Sequence, residues 1–168
     1  MKNGTENSAK SQSEKAVELF TEMMIDRMEV MKSGGWEKGW IAGNAVGGLP
    51  QNVTGRNYSG SNSFFLELNT AMKGYKTPVY LTFMQAQDLK AHILKGEKSM
   101  PVLYWDVLVR DQNGRKVDYN DFRQMSKDMQ SKMKVIPFLR AYSVFNLEQT
   151  KLPEVNPKKY ESLLKRFT

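Results

Sequence analysis

The residues of this chain best equipped to do chemistry on a ligand stand together at Gly55-Arg56-Asn57-Tyr58-Ser59-Gly60-Ser61-Asn62. An arginine, an aromatic ring and amide side chains sit between glycines that free the backbone. Arginine grips phosphate, tyrosine stacks on a base, and asparagine bonds a base edge or closes a turn. The run falls in a long stretch of turn-forming residues from Gly43 to Asn62. A loop of that length is uncommon in a compact domain unless it binds something or is disordered. Basic and aromatic residues pair repeatedly elsewhere: Tyr75 with Lys76, Lys95 and Lys98 ahead of Tyr104 and Trp105, and Arg140 with Tyr142. Single-stranded nucleic acid calls for that mixture, because cations track phosphates while rings stack on unpaired bases.

Catalytic groupings are scarce by comparison. There is no cysteine, so neither a disulfide framework nor a thiolate metal site is available. The single histidine, His92, excludes a multi-histidine zinc site and leaves a nucleophilic triad without a legible partner. Asp106, Asp111, Asp118 and Asp121 fall at strand ends and turns rather than in a metal-binding cluster. Gly43-x-x-x-Gly47 lacks the Gly-Lys that would make a phosphate-binding loop. No enzymatic activity, metal or cofactor is expected from these residues.

A chain of 168 residues with 40% apolar and 11% aromatic side chains suits one folded domain. Its net charge of +7 favours an anionic partner, with nucleic acid ahead of membrane. Residues 13–33 hold five acidic against three basic side chains, so the positive surplus lies beyond them. No apolar run approaches the roughly 20 residues a membrane span needs, and the Asn/Ser/Lys-rich start lacks a signal-peptide core. A cytoplasmic location is therefore expected, where the acceptor pattern Asn52-Val53-Thr54 carries no meaning.

The elements that must position these residues are read from periodicity. Residues 1–12 read as a disordered tail and 13–168 as one domain. A helix over Ser13–Lys32 carries its apolar stripe on Val17, Phe20, Met24, Met28 and Met31, widened by Leu19 and Met23, with the methionines filling the core. Gly34-Gly35 stops it. Trp36 and Trp40 either bury against the core or form a stacking wall, and burial is favoured because large aromatics dominate core energetics. Asn62 caps a second helix that ends at Gly74. Thr77–Leu81 is an extended link, and Thr82 with Gln85 opens a third helix that runs to about Leu94. Pro101–Val109 is a strand leading into a turn at Asp111–Gly114, and Leu139–Phe145 is the returning strand. Trp105 and Phe145, as strand residues, read as inward-facing. Asp118–Lys134 reads as partly ordered, and Asn156–Phe167 as a short basic helix. The fold class expected is α+β, a small antiparallel sheet packed with several helices.

The string Pro50-Gln51-Asn52 followed by Gly55-Arg56-x-Tyr58-x-Gly60-x-Asn62 resembles the N-terminal domain of the antirestriction protein ArdC family. Further matching segments follow in order: Tyr75-x-x-Pro78-x-Tyr80-Leu81-Thr82-Phe83-x-Gln85-Ala86, Lys95-Gly96-Glu97-Lys98, Val102-x-Tyr104-Trp105, and Arg140-Ala141-Tyr142-x-Val144-Phe145-Asn146-x-Glu148-Gln149. Together they span about residues 36–150. The resemblance implies sequence-tolerant binding of single-stranded DNA, in cytoplasmic proteins of plasmids and other mobile elements. It also implies a possible partner in cis, a metallopeptidase-like domain with an HExxH helix, which is absent from this sequence. Ser59 and Ser61 depart from the basic and apolar residues common there, and Tyr80 stands where tryptophan is common. On this reading Arg56, Lys95, Lys98 and Arg140 hold phosphates, and Tyr58, Tyr80 and Tyr142 stack on bases. Asn62, Gln85, Asn146 and Gln149 either bond bases or cap helices and order the loop. The rival reading is a protein-interaction or docking module that engages a restriction enzyme or a separate catalytic domain. Oligomeric state is left open.

Overall fold

The structure, a computed structural model, describes residues 10–34 and 48–167. Trp36, Trp40, Gly43, Gly47 and the first nine residues of the expected tail lie outside the described residues. Helix α1 spans Gln12–Gly34 and opens on a reciprocal cap. There Ser11 Oγ accepts from the Glu14 N–H while a Glu14 carboxylate oxygen accepts from the Ser11 N–H. Its buried face is Ala16, Phe20 and Met23, one step around from the stripe expected. Val17, Met24 and Met28 are 48%, 38% and 54% exposed, so those two methionines are not core filler. Ala16, with 2% of its surface exposed, lies on the face by which this helix meets the sheet.

From Pro50 the chain makes a tight hairpin rather than a long unstructured loop. Strand β1 (Gln51–Asn52) turns at Val53–Gly55 and returns through Arg56–Tyr58. The Asn52 N–H donates to Arg56 O at 2.8 Å, and the Tyr58 N–H donates to Pro50 O at 2.9 Å. Gly55 has φ 93°, a conformation the turn requires and a side chain would resist. Helix α2 (Gly60–Lys73) follows, with Ser59 rather than Asn62 at its N-cap. It closes at Gly74, φ 67°, where the Tyr75 N–H reaches back to Thr70 O.

The segment expected as an extended link is strand β2 (Val79–Thr82), parallel to β1 and antiparallel to β5 (Lys134–Asn146). With β3 (Met100–Arg110) and β4 (Lys116–Val117) the sheet has the order β1-β2-β5-β3-β4 and is therefore mixed, not purely antiparallel. The α2 crossover makes this possible, since parallel neighbours need a connection of about a dozen residues or more. Residues of β2 are buried on both sides. Tyr80 joins Phe20, Met23, Leu66, Met100, Val102 and Val144, while Val79 and Leu81 join Leu147, Leu152, Leu163 and Phe167. A strand covered on both faces reads as a continuous apolar run, which is why it lacks alternation.

Helix α3 (Phe83–Asp88) opens on the expected Thr82–Gln85 capping box but ends well before Leu94. Lys90 takes φ 55°, and residues beyond it run alongside the chain at 149–151, where the Leu94 N–H donates to Gln149 O. Strand β3 (Met100–Arg110) continues through the Asp111–Gly114 turn into β4 (Lys116–Val117). The next segment is ordered, as short helices α4 (Tyr119–Gln124) and α5 (Lys127–Ser131), capped by the side chains of Asp118 and Ser126. Strand β5 (Lys134–Asn146) starts earlier than alternation suggested, because Pro137 sits within it opposite Val107. A 3-10 turn at Leu147–Gln149 and helices α6 (Leu152–Val155) and α7 (Pro157–Leu164) complete the fold. The class is α+β.

Asn62 is 6% exposed, and its amide occupies the outer edge of β3. Its Nδ2 donates to Leu103 O and its Oδ1 accepts from the Leu103 N–H, both at 2.8 Å. One side chain thus replaces a missing neighbouring strand. Asn62→Ala would leave both backbone groups without a protein partner. We expect a loss of about 1–3 kcal/mol in urea unfolding, with the sheet's circular-dichroism signal retained in the folded baseline.

Candidate nucleic-acid interface

The pairing of β3 with β5 places side chains from both strands on one face of the sheet. Val102 lies opposite Tyr142, and Tyr104 opposite Arg140. The returning arm of the β1 hairpin and the start of α3 rise beside this face. Between them lies an open groove of about 420 Å³. Val102 and Val144 line its floor, with Tyr104 and Tyr142 on one side and Arg56, Asn57, Tyr58, Thr82 and Gln85 on the other.

The two tyrosines from the sheet are available to a ligand. Tyr104 is 41% and Tyr142 43% exposed, and their rings meet edge to face with centroids 5.8 Å apart. Arg140 is exposed beside them, its guanidinium 3.3 Å from Asp106 Oδ2 and stacked over Phe138 at 5.4 Å. A guanidinium carries five N–H donors, so one ion pair leaves it capacity for an anion. Arg56 is exposed on the hairpin at the groove's rim and has no ion-pair partner among the described residues.

Tyr58 differs from these rings. It is 8% exposed and packs with Leu66, Tyr80, Val102 and Val144, so its faces are not free for stacking. Its hydroxyl accepts from Asn52 Nδ2 at 3.2 Å. Burial pushes its phenol pKa up, with the Asn52 bond opposing, so it holds its proton through neutral pH. Asn52 and Gln85 join by a reciprocal pair of amide bonds at 3.0 and 2.9 Å. Gln85 is thereby committed to ordering the hairpin against α3, and its Oε1 also accepts from the Thr82 N–H.

Several expected contacts belong to the interior instead. Tyr80 has no exposed surface; its hydroxyl donates to Leu66 O at 3.1 Å and also meets Asn69 Nδ2 and Thr70 Oγ1. Stacking on DNA is closed to it. Asn62 pins β3, as described above. Asn146 is fully buried, donating to Thr77 O and accepting from the Glu148 N–H. Gln149, 4% exposed, donates to Lys98 O and Glu97 and accepts from the Asn146 N–H. These amides satisfy backbone groups that would otherwise be buried unpaired, and that requirement settles their role. Lys98 lines a different groove, with Lys73 and Tyr75, and exposed Lys95 lines neither. Tyr75 there is pushed up to about 12, by burial first and then by Glu97.

The groove also holds residues that the sequence reading left out of the site, chiefly Tyr104, Asn52, Asn57 and Thr82. Tyr104 shares the alternation of Val102, and only its register with Arg140 marks it. Trp105, expected to face inward, is 74% exposed on the opposite face of the ribbon. Among the described residues no three His, Cys, Asp or Glu side chains gather into a metal-binding group, and no helix is long and apolar enough to cross a membrane.

Comparison with known proteins places this geometry in context. The family model for the N-terminal domain of anti-restriction factor ArdC matches residues 14–145. The DNA primase TraC of Escherichia coli is 30% identical over 152 residues, covering 85% of this chain and 10% of that protein. A second Escherichia coli protein of the same name is 33% identical over 90 residues, covering 51% and 8%. The crystal structure of the antirestriction protein ArdC from the R388 plasmid, in metal-free form, superposes with a TM-score of 0.53 at 26% identity. That match covers 79% of this chain and 41% of the other, so the chain spans a minor part of each relative's length.

The contrast between interior and groove tyrosines is measurable without any ligand. Tyr80→Phe should lower unfolding stability by about 1–2 kcal/mol, because Asn69 and Thr70 lose a buried partner. Tyr142→Phe should change it by less than about 0.5 kcal/mol, the usual range for an exposed site. Chemical denaturation of both variants reads the difference.

Proposed function

This chain belongs to the family of the N-terminal domain of the anti-restriction factor ArdC, and on that premise we propose that it binds single-stranded DNA with little sequence preference. In a longer protein it would be the DNA-binding module of an antirestriction or mobile-element factor, joined to a further domain such as a metallopeptidase-like one. The observation that carries the reading is the pair of half-exposed rings, Tyr104 and Tyr142, set among Arg56, Arg140 and an apolar floor. Unpaired bases offer the flat faces that such rings stack on, whereas a duplex keeps those faces inside its own stack. The arginines supply fork-shaped donors for the phosphates on either side. The net charge of +7 supplies the long-range attraction. The naming of two relatives as DNA primases is consistent with a nucleic-acid partner.

A docking role toward another protein is the second reading, and Trp105 is the residue that favours it. It stands 74% exposed in line with Pro137 and Val135 on the face away from the groove, where no arginine or lysine of either strand points. Trp105→Ala should leave DNA affinity unchanged if this face serves a protein.

Titration of fluorescent single-stranded and duplex oligonucleotides at two salt concentrations tests the function. Single strands should bind more tightly, with a log–log salt slope near −0.7 for each phosphate contact. Arg56→Ala and Arg140→Ala should each make that slope shallower by about 0.7. Tyr104→Ala and Tyr142→Ala should each weaken binding by about 1–3 kcal/mol, the range for one stacked base. Absence of binding to either form would sink the proposal.

A further inference from the structure

The hydrogen bonds on the hairpin side of the groove give it a capacity beyond stacking and charge. Two backbone N–H donors, which can only donate, fix the direction of this network. The Thr82 N–H donates to one side-chain atom of Gln85 at 2.9 Å, so that atom is the carbonyl oxygen Oε1. The Thr54 N–H donates to one side-chain atom of Asn52 at 3.1 Å, which must likewise be the oxygen Oδ1. With both amides oriented, Asn52 Nδ2 faces Gln85 Oε1 at 3.0 Å and the Tyr58 hydroxyl at 3.2 Å. An amide NH2 only donates, so Tyr58 can only accept from it. The phenol's own proton therefore has to point elsewhere, and among the described residues no acceptor takes it.

The surroundings say what should take it. Tyr58 is 8% exposed and borders the groove, packed with Val102 and Val144. The neighbouring acceptors are already committed: Asn52 Oδ1 takes Thr54 and Gln85 donors, and Gln85 Oε1 takes Thr82 and Asn52 donors. This end of the groove thus offers donors and needs a ligand acceptor. A phosphate is better served at the rim, where exposed Arg56 stands, because an anion seated on the floor against two valines loses its hydration. A base edge is uncharged, flat and able to stack on Tyr104 or Tyr142 while its oxygen reaches the floor.

We propose that the Tyr58 hydroxyl donates to the carbonyl oxygen of one unpaired base, so that one position in the groove prefers carbonyl-bearing bases to adenine. The proposal rests on the single-stranded DNA reading given above and assigns Tyr58 a base-edge contact in place of stacking. Thymine, cytosine and guanine each carry an exocyclic carbonyl whose oxygen projects from the ring, whereas adenine has none and its acceptors are nitrogens within the ring. The preference acts at one position only, so binding stays tolerant of sequence overall. Tyr58 keeps its proton through neutral pH, so its donor is available there.

The test is a cycle between protein and base, using the full chain and labelled oligonucleotides of about 12 nucleotides, a length within single-strand site sizes. The probes are oligothymidine, the same length with every thymine replaced by its difluorotoluene isostere, and oligoadenosine. The isostere keeps the shape and stacking face but lacks the carbonyls. Wild-type protein should lose about fivefold in affinity on going from thymine to the isostere, the worth of one neutral hydrogen bond. Tyr58→Phe should lose the same factor on oligothymidine, and nothing on the isostere or oligoadenosine. Thermal melting of Tyr58→Phe checks that the fold is retained, and the wild-type arm stands without that variant. Equal weakening of every probe by Tyr58→Phe would place the hydroxyl on the DNA backbone or in the fold and overturn the proposal. Equal binding of thymine and isostere by wild type would overturn it as well. Binding of all probes with no Tyr58 effect leaves the DNA reading intact and removes this one, whereas no binding at all removes both.

Discussion

The antiparallel register of β3 on β5 decides which side chains meet in this molecule. It runs from Met100 opposite Val144 to Arg110 opposite Lys134. Because side chains alternate across a strand, a slip of β5 by one residue would turn every one of its side chains to the other face. Tyr142 and Arg140 would leave the side that Tyr104 occupies, and Leu139 and Ala141 would replace them. The register also ties the interior to the site. Met100, Val102 and Val144 belong to the core beneath α1 and α2, and the same strands carry their next residues out to the groove wall. Core burial at one end therefore holds the exposed rings in place at the other.

A set of buried and half-buried amides performs the second task, that of joining elements distant in sequence. Asn62 closes the edge of β3, the Asn52–Gln85 pair holds the hairpin to α3, and Asn146 with Gln149 binds the end of β5 to Thr77 and Lys98. Each serves backbone groups or another amide, and the energetic case is asymmetric. A made bond contributes about 1 kcal/mol, while an unmade one costs the full desolvation of a buried polar group. A binding loop rich in asparagine and glutamine is thus compatible with little amide contact to a ligand. The ligand-facing capacity falls to the side chains that these amides leave over, chiefly arginines, exposed tyrosines and one phenol proton.

The local devices were legible in the chain. The Thr82–Gln85 cap, the Gly74 stop and the Asp111–Gly114 turn depend on residues within a few positions of each other, and the structure shows each of them. Resemblance to the ArdC N-terminal family was legible too, from segments in a fixed order. What periodicity does not carry is non-local. The buried face of α1 lies one step from the stripe that periodicity predicts, on the side of Ala16. The end of α3 depends on the pairing of residues near Leu94 with residues 149–151 and so comes before the predicted one. The parallel β1–β2 contact has no signature in the chain because β2, buried on both faces, shows no alternation.

The tyrosines show where the boundary lies. Tyr58 and Tyr142 each stand two residues after an arginine and just before a serine, and nothing nearby in sequence separates them, whereas Tyr80 lies in the apolar run Pro78–Leu81. By itself the sequence determined the inventory: a surplus of positive charge, aromatic rings interleaved with cations, no thiol, and the caps and turns that punctuate the elements. Only the tertiary structure decided that Tyr58 is buried with a phenol proton no acceptor takes among the described residues, and that Tyr142 is open beside Tyr104. Burial is a property of layers and registers formed by residues far apart in the chain, and a local pattern carries no record of which face those distant residues will cover.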